Sequence, residues 1–444
     1  MKVTVVGLGY VGTVTAACLV HLGHEAAGVD ILPERVELLE QAVVPFSEPG
    51  LDALVKEGLA SGRLSFTTDY AVALAGARCV FICVNTPLLP TGDPDLSQLR
   101  SAAESLGRSL PSGCVVITKS TVPVGSGDWV QMLIEDSIPA GDRRPFHVVS
   151  NPEFLREGSA VEDFFYPDRI VFGGADPEAD AVTAELYQPM VDQSFPGGRR
   201  EIAPVPVIST TLQSAEMIKY AANAFLATKI SFINEMANIC ERVGADVNEV
   251  ARGIGLDSRI GQDFLNAGIG WGGSCFQKDI MALQRTGEEY GYTADLLTAT
   301  VEVNRRQRLL VIQKLQTALK ILKGKRIVLL GLSFKPHTDD LRDAPSLTII
   351  QRLQAAGCKV LAVDPIVQTL PHDFNGKVEI FSDPYDALRG ADAAVLVTEW
   401  PEFLELDLAE VAKVMRAPVL VDGRNALDPA AARAAGLTYI AIGR

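Results

Sequence analysis

The run Val3-Thr4-Val5-Val6, followed at once by Gly7-Leu8-Gly9-Tyr10-Val11-Gly12, constrains this chain more than any other feature. A short β-branched apolar stretch reads as a buried strand. Three glycines spaced G-x-G-x-x-G between a strand and a helix allow a tight turn, close approach of a pyrophosphate to backbone N–H groups, and close helix–strand packing. The spacing is weak evidence alone, and a glycine turn with no ligand is its bland alternative. Here Asp30 stands 23 residues after Gly7, at the end of the next apolar run, Ala26 to Val29. A carboxylate in that place accepts from ribose hydroxyls and repels a 2′-phosphate. NAD is therefore expected over NADP, with Arg35 as the nearby opposing cation.

The strand-like runs continue through Cys79 to Val84, Val115 to Thr118 and His147 to Val149. From about Thr211 to Lys320 the apolar spacing turns helical, through Met217, Tyr220, Ala221, Ala224 and Phe225. Strand signals resume at Ile327 to Leu330, Val360 to Val363, Ala394 to Val397 and Val419 to Val421. Lys2 to Asp30 and Lys325 to Asp364 share an order of strand, glycine turn, helix, strand, Asp. The expected class is α/β, with two Rossmann-like doubly wound parallel-sheet domains joined by a central long-helix region. The expected divisions are 1–205, an NAD-binding part; 206–322, a helical part for dimerisation and catalysis; and 323–444, a second nucleotide-binding part.

At 444 residues and 48% hydrophobic content the chain can bury more than one core. A net charge of −15 argues against a nucleic acid or an anionic membrane as partner, so an anionic ligand must meet local cations. Seven cysteines without CxxC spacing suggest neither a disulfide framework nor a zinc site, and no metal is expected. Five histidines form no HExxH, and GxSxG is absent, which removes zinc-peptidase and serine-hydrolase readings. Met1 leads almost directly into a strand, leaving no room for a signal peptide, and no apolar run approaches the roughly 18 to 20 residues of a membrane span. A cytoplasmic protein is expected.

Val84-Asn85-Thr86-Pro87 and Lys119-Ser120-Thr121-Val122-Pro123 each follow a strand, at the carboxyl edge where open α/β sheets bind ligands. Proline that merely ends a strand is the alternative. In Ile269-Gly270-Trp271-Gly272-Gly273-Ser274-Cys275-Phe276-Gln277-Lys278-Asp279 the glycines lead into a helix start that favours a thiolate at Cys275, with Asp279 four residues on. The other cysteines read as small core residues. Lys219 and Asn223 stand four apart on an apolar helix and can donate to one oxygen; a snorkelling lysine beside a core amide is the alternative. Glu153 and Glu157 would share a face if their segment were helical, and either has the chemistry of a base toward water. Solvent-facing helix carboxylates explain the pair equally well.

The ordered series GLGYVG, VNTP, STVPVG, NPEFLREG, KYAANAFLA, GIGWGGSCFQKD and LGLSFKPHTDDLRDAPS resembles the UDP-glucose/GDP-mannose dehydrogenase family over nearly the whole chain. NPEFLREGSA, GWGGSCFQKD and SFKPHTDDLRDAPS are closest to the form seen in members acting on UDP-glucose. The resemblance implies a four-electron oxidation of the sugar's 6-hydroxymethyl group to a carboxylate with two NAD. It implies that Lys219 and Asn223 hold an oxyanion, Asp279 with Thr121 positions a water, Cys275 captures the aldehyde, and Glu153, or else Glu157, assists hydrolysis. For the cofactor it points to Asp30, Arg35, Thr86, Thr121, Glu157, Lys278 and Arg342, beside the Gly7 to Gly12 turn. For the UDP-sugar it points to Glu153, Phe154, Leu155, Arg156 and Glu157, to Lys219 and Asn223, and to Phe264, Leu265, Asn266, Ala267 and Gly268. Gly272, Phe334, Lys335 and Arg424 join this set, with Arg259 reaching in from the second subunit of a homodimer. Asn266 departs from relatives that carry lysine there. A related nucleotide-sugar 6-dehydrogenase acting on dTDP-glucose, GDP-mannose or UDP-N-acetylmannosamine shares these motifs. A two-electron hydroxyacid dehydrogenase shares the glycine turn and Lys219/Asn223 but has no need of Cys275. A non-catalytic NAD-binding regulator needs none of the polar pairs.

Overall fold

Strands that are apolar on both faces must be covered on both, and this requirement organises the chain. The computed structural model describes residues 1–89, 91–374 and 376–444. It divides into two compact units, residues 1–222 with 281–290, and residues 223–280 with 291–444.

Among the described residues the first unit holds an eight-stranded sheet. Its strands are β1 (Lys2–Val6), β2 (Glu25–Val29), β3 (Leu64–Thr67), β4 (Cys79–Ile82), β5 (Cys114–Thr118), β6 (Phe146–Ser150), β7 (Ile170–Gly174) and β8 (Val207–Thr210). The order β3-β2-β1-β4-β5-β6-β7-β8 reverses direction of growth between β1 and β4, the topological switch point where ligands bind in such sheets. The neighbours are parallel except β6 and β7, which pair antiparallel through Val149 with Gly174 and Ser150 with Gly173. Alternation splits β1 between two cores: Val3 and Val5 pack with Leu19, Val55 and Leu186, and Val6 packs with Leu99, Leu106 and Val130. Each such buried aliphatic side chain contributes about 2 kcal/mol relative to exposure.

The second unit holds a six-stranded parallel sheet among the described residues, ordered β11-β10-β9-β12-β13-β14. These are β9 (Arg326–Leu330), β10 (Lys359–Val363), β11 (Glu379–Phe381), β12 (Ala393–Leu396), β13 (Val419–Asp422) and β14 (Thr438–Ile440). Ile327 and Leu329 pack with Ile349 and Leu353 on one face, and Val328 and Leu330 with Leu388 and Phe403 on the other. The expected long-helix region is present as Leu212–Val243, Val247–Gly255, Phe276–Glu289, Asp295–Gln307 and Leu310–Leu319. The α/β class with two doubly wound sheets is thus as expected. The strands β3, β7, β8, β11 and β14 are additions to the strands expected from the sequence, although β7 contains the buried run Ile170 to Phe172. Among the described residues, no helix is long and apolar enough to cross a membrane.

Candidate active site

In the first unit the glycine turn is shaped by contact. Gly7 has φ +88°, and a Cβ there would lie 3.0 Å from the Cys83 backbone. A Cβ on Gly12 would lie 1.8 Å from the Gly7 carbonyl oxygen. Only glycine lets the chain close so tightly before the helix Tyr10–His21, and the resulting cradle suits a pyrophosphate. Asp30 is buried at the end of β2, where its carboxylate accepts from Leu8 N at 2.7 Å and Leu32 N at 3.0 Å. Arg35 Nη1 donates to it at 2.9 Å, so this cation is engaged by Asp30 and the acid keeps its place beside the turn. Tyr10 donates to the buried Glu48 carboxylate, whose Oε1 and Oε2 also accept from Val161 N at 3.3 Å and Gly158 N at 2.7 Å. Burial and Glu48 hold the Tyr10 hydroxyl protonated, well above its ordinary value.

At the carboxyl edge of β4 to β6, Thr86 Oγ1 donates to the Thr121 carbonyl at 2.7 Å, bringing the two expected ligand loops together. Lys219 Nζ donates to Glu153 Oε1 at 2.9 Å, and both side chains are under 10% exposed. Burial alone would raise the Glu153 carboxyl. The Lys219 charge and hydrogen bond, the Leu155 amide and Lys119 outweigh it and hold the group below the usual carboxylate range. Residues 151–156 are not helical, so Glu153 and Glu157 do not share a helix face. Pro152 and a local bond explain the correction: Glu153 Oε2 accepts from Leu155 N at 2.6 Å, in competition with helical pairing. Phe154 lies under Arg169, 3.7 Å from its guanidinium carbon, and Arg156 pairs with Asp163 at 2.6 Å. Leu155 and Glu157 are half-buried in the same loop.

In the second unit Cys275 is half-buried and immediately precedes the helix Phe276–Glu289, with its carbonyl accepting from Asp279 N at 3.0 Å. Its loop is clamped. Trp271 N donates to Asn304 Oδ1 at 2.9 Å, Asn304 Nδ2 donates back to the Trp271 carbonyl at 3.0 Å, and Arg308 Nη2 donates there at 2.6 Å. Arg308 is itself held by Asp343 at 2.7 and 2.8 Å. A Cβ on Gly272 would meet the Asp343 carbonyl at 2.5 Å, and one on Gly273 the Phe334 ring at 2.9 Å. Asp279, 1% exposed, accepts from Asn223 Nδ2 at 2.5 Å and Lys278 Nζ at 2.6 Å. Lys219 and Asn223 therefore each face their own carboxylate, Glu153 and Asp279.

The remaining expected ligand residues fall into two groups. Arg424 donates to Val397, Gly270 and Phe334 carbonyls, at 2.7, 3.2 and 3.2 Å, which puts a cation beside the cysteine loop. Lys335 Nζ lies 5.5 Å from the Phe334 ring. Gly268 N donates to Asn234 Oδ1 at 2.8 Å, fixing the end of a loop in which Phe264 has φ +64°, Leu265 and Ala267 are buried and Asn266 is exposed. Arg342 turns to Asp340 at 2.8 Å, although its carbonyl accepts from Gly273 N at 3.0 Å. Arg259 is 87% exposed and pairs with Asp257 at 2.6 Å, remote from the groups just described in its own contacts.

Three family descriptions match in order along this chain. Residues 1–191 match the UDP-glucose/GDP-mannose dehydrogenase NAD binding domain, 213–306 the central domain and 328–429 the UDP binding domain. The chain belongs to the UDP-glucose/GDP-mannose dehydrogenase family. It is 45% identical to the UDP-glucose 6-dehydrogenase TuaD of Bacillus subtilis, across all of this chain and 93% of that one. It is also 45% identical to the UDP-glucose 6-dehydrogenase of Rhizobium meliloti, over the full length of both. Among known structures, a UDP-glucose dehydrogenase from Pyrobaculum islandicum is 36% identical with a TM-score of 0.89, covering 99% of this chain and 96% of that one. As a member of this dehydrogenase family the chain is an oxidoreductase with NAD as cofactor.

Several residues that build these surroundings had no signal of their own. Glu48, Tyr187, Asn304, Arg308 and Asp343 act on partners 30 or more residues away in sequence. Lys119 was visible as part of its motif but not as a buried amine. Its Nζ donates to Asn151 Oδ1 at 3.1 Å and lies 3.4 Å from the Tyr187 hydroxyl, and burial pushes it down to about 8.

Proposed function

We propose that this dehydrogenase oxidises UDP-glucose to UDP-glucuronate in two NAD-dependent steps joined by a covalent adduct on Cys275. The observation that carries the reading is Cys275 at the mouth of a helix, on a loop held by Asn304 and Arg308. A nucleophile whose backbone cannot drift is suited to holding a substrate between two reactions. Gly7, Gly9 and Gly12 would cradle NAD with Asp30 facing its ribose, and the bound cofactor would supply the hydride acceptor for each oxidation. The protein's side chains handle the protons and the carbon.

In the first oxidation the 6-hydroxyl loses its proton toward a water positioned by Asp279 and Thr121, while Lys219 and Asn223 donate to the developing oxyanion. The Cys275 sulfur adds to the aldehyde, giving a thiohemiacetal whose oxygen the same donors hold. Its oxidation leaves a thioester. Glu153, kept ionised by Lys219, then takes a proton from the attacking water, the C–S bond breaks, and the thiol is restored with the uronate released. The division 1–205, 206–322 and 323–444 remains our domain assignment. In it the last part takes the uridine diphosphate with Lys335 and Arg424, and a homodimer supplies Arg259. A cytoplasmic location and a place in UDP-glucuronate supply for polysaccharide biosynthesis accompany this reading.

The test is stoichiometry. Wild-type protein is expected to yield two NADH per UDP-glucose with no free aldehyde, and Cys275→Ser, purified free of wild type, to slow by about 1,000-fold or more. Two NADH per sugar at an undiminished rate from Cys275→Ser would make the cysteine a packing residue.

A further inference from the structure

Glu216 lies three residues before Lys219 on the long helix Leu212–Val243 and is 2% exposed. Its carboxylate meets two backbone amides: Oε2 accepts from Gly125 N at 2.6 Å and Oε1 from Gly127 N at 2.9 Å. Gly125 is the N-cap of the helix Ser126–Ser137 and Gly127 its second residue, so these are donors that no intrahelical carbonyl can satisfy. The approach is close by construction. A Cβ on Gly127 would lie 2.9 Å from Leu212 Cδ2 and 3.3 Å from Glu216 Oε1. One turn away, Gln213 Nε2 donates to Asp128 Oδ2 at 2.9 Å, so the two helix starts are joined at a second point.

The segment between β5 and the helix Ser126–Ser137 carries Thr121. Its near end is tied to the β4 loop by Ser120 Oγ on the Val84 carbonyl, at 2.7 Å, and by Thr86 Oγ1 on the Thr121 carbonyl, at 2.7 Å. Its far end is tied to Glu216. We propose that Glu216 is a positioning residue: its carboxylate latches the Ser120–Gly127 segment to the helix that bears Lys219, and so sets Thr121 relative to the Lys219–Glu153 pair. The inference rests on the roles given above to Thr121 and Lys219, and assigns their spacing to a carboxylate bonded to the Gly125 and Gly127 amides.

The latch is proton-sensitive. Burial pushes the Glu216 carboxyl up to about 7, the two backbone donors pull the other way, and the Asp128 charge adds to the rise. Asp128 faces it from the helix Ser126–Ser137, and Lys219 on its own helix turns to Glu153. When Glu216 takes a proton, one of its two acceptors becomes an O–H confronting an N–H, and one tie is lost. Turnover should therefore fall as pH drops through about 7. Stability moves oppositely: a folded-state pKa raised above the unfolded value gives stability that is full below about 4.5 and lost as pH rises through about 7.

The experiment compares wild type with Glu216→Gln for kcat, KM and melting temperature between pH 5.5 and 8.5. Gln keeps one acceptor oxygen and cannot ionise. At pH 8 its kcat is expected to be about tenfold lower with KM for UDP-glucose within about twofold, the pattern of misplacement rather than lost binding. Its melting temperature is expected to lose the decline that wild type shows from pH 5.5 to 7.5. Wild-type kcat together with an unchanged pH slope of melting would overturn the inference. Should Glu216→Gln fail to fold, wild type carries the test: kcat must fall on an acid limb near pH 7 while the melting temperature declines from pH 5.5 to 7.5, and a kcat flat across that range overturns the latch. NADH yield separates the two readings. One NADH per sugar from wild type defeats the cysteine route, and two from wild type with an unaltered Glu216→Gln defeats the latch alone.

Discussion

The two sheets begin with the same grammar and spend its last word differently. Each has a left-handed glycine after its first strand, Gly7 at φ +88° and Gly331 at φ +100°, and an aspartate closing its second. Asp30 accepts two backbone N–H groups and Arg35. Asp364 accepts from the amides of Leu332, Ser333, Ile366 and Val367, from the Ser333 hydroxyl, and from Trp400 Nε1. A carboxylate has about four lone-pair sites, so Asp364 is saturated by the protein while Asp30 retains capacity for a ribose. The turns differ as well. Gly12 lies within the helix that starts at Tyr10, whereas the segment after Gly331 runs on to Pro345 before a helix forms, carrying Phe334, Lys335 and Arg342 on the way. A shared topology thus offers a carboxylate position that one unit leaves with acceptor capacity and the other has filled with its own polar groups.

The largest effect expected from this contrast is cofactor choice. With Asp30 buried and paired as found, kcat/KM should favour NAD over NADP by about 1,000-fold, as expected where a carboxylate confronts a 2′-phosphate. Equal efficiencies would break the comparison at its first term.

The second expectation is a crossed pair of variants. Asp364→Ala leaves several buried donors without an acceptor and should cost about 4 kcal/mol of unfolding free energy, with KM for NAD unchanged. Asp30→Ala should cost about half of that, because Asp30 accepts from two backbone amides where Asp364 accepts from four and from two side chains besides, and should raise KM for NAD at least about tenfold. Denaturant titrations and initial rates on both proteins decide it; a KM effect from Asp364→Ala would erase the distinction.

The smallest effect is a pH slope belonging to the first unit. The Lys119 amine is pushed down to about 8 by burial, so its folded pKa lies below the unfolded value of about 10.5. The unfolded chain then binds the extra proton between those limits, and stability should rise with pH there by up to about 3 kcal/mol. Lys119→Met should flatten that rise. A variant retaining the wild-type slope would place the titrating group elsewhere.

The central strands were legible because they are buried on both faces and so read as runs of β-branched and apolar residues, as in Val3 to Val6 and Ile327 to Leu330. Exposed β8 and short β11 and β14 carry no such run, since an edge strand is defined by a neighbour's backbone more than by its own side chains. The place of Cys275 just before a helix was legible because glycines ahead of a helix start are a local signature. The Glu153 spacing misled, because four residues mean one face only on a helix, and Pro152 with the Glu153–Leu155 bond keeps the loop extended. Glu216 and Asn304 had no local signature: an acid or amide on an amphipathic helix looks the same whether it faces water or a backbone 91 or 33 residues away.

Asn304 also bears on how a reactive loop can be made rigid. By accepting from Trp271 N and donating to its carbonyl, one side-chain amide reproduces the two hydrogen bonds that an adjacent strand would supply to that residue. The segment ahead of Cys275 is, in effect, a one-residue strand paired with a side chain. It acquires the fixity of a sheet without committing its neighbours to a ladder, so that Gly272 and Gly273 answer instead to the close approach of Asp343 and Phe334.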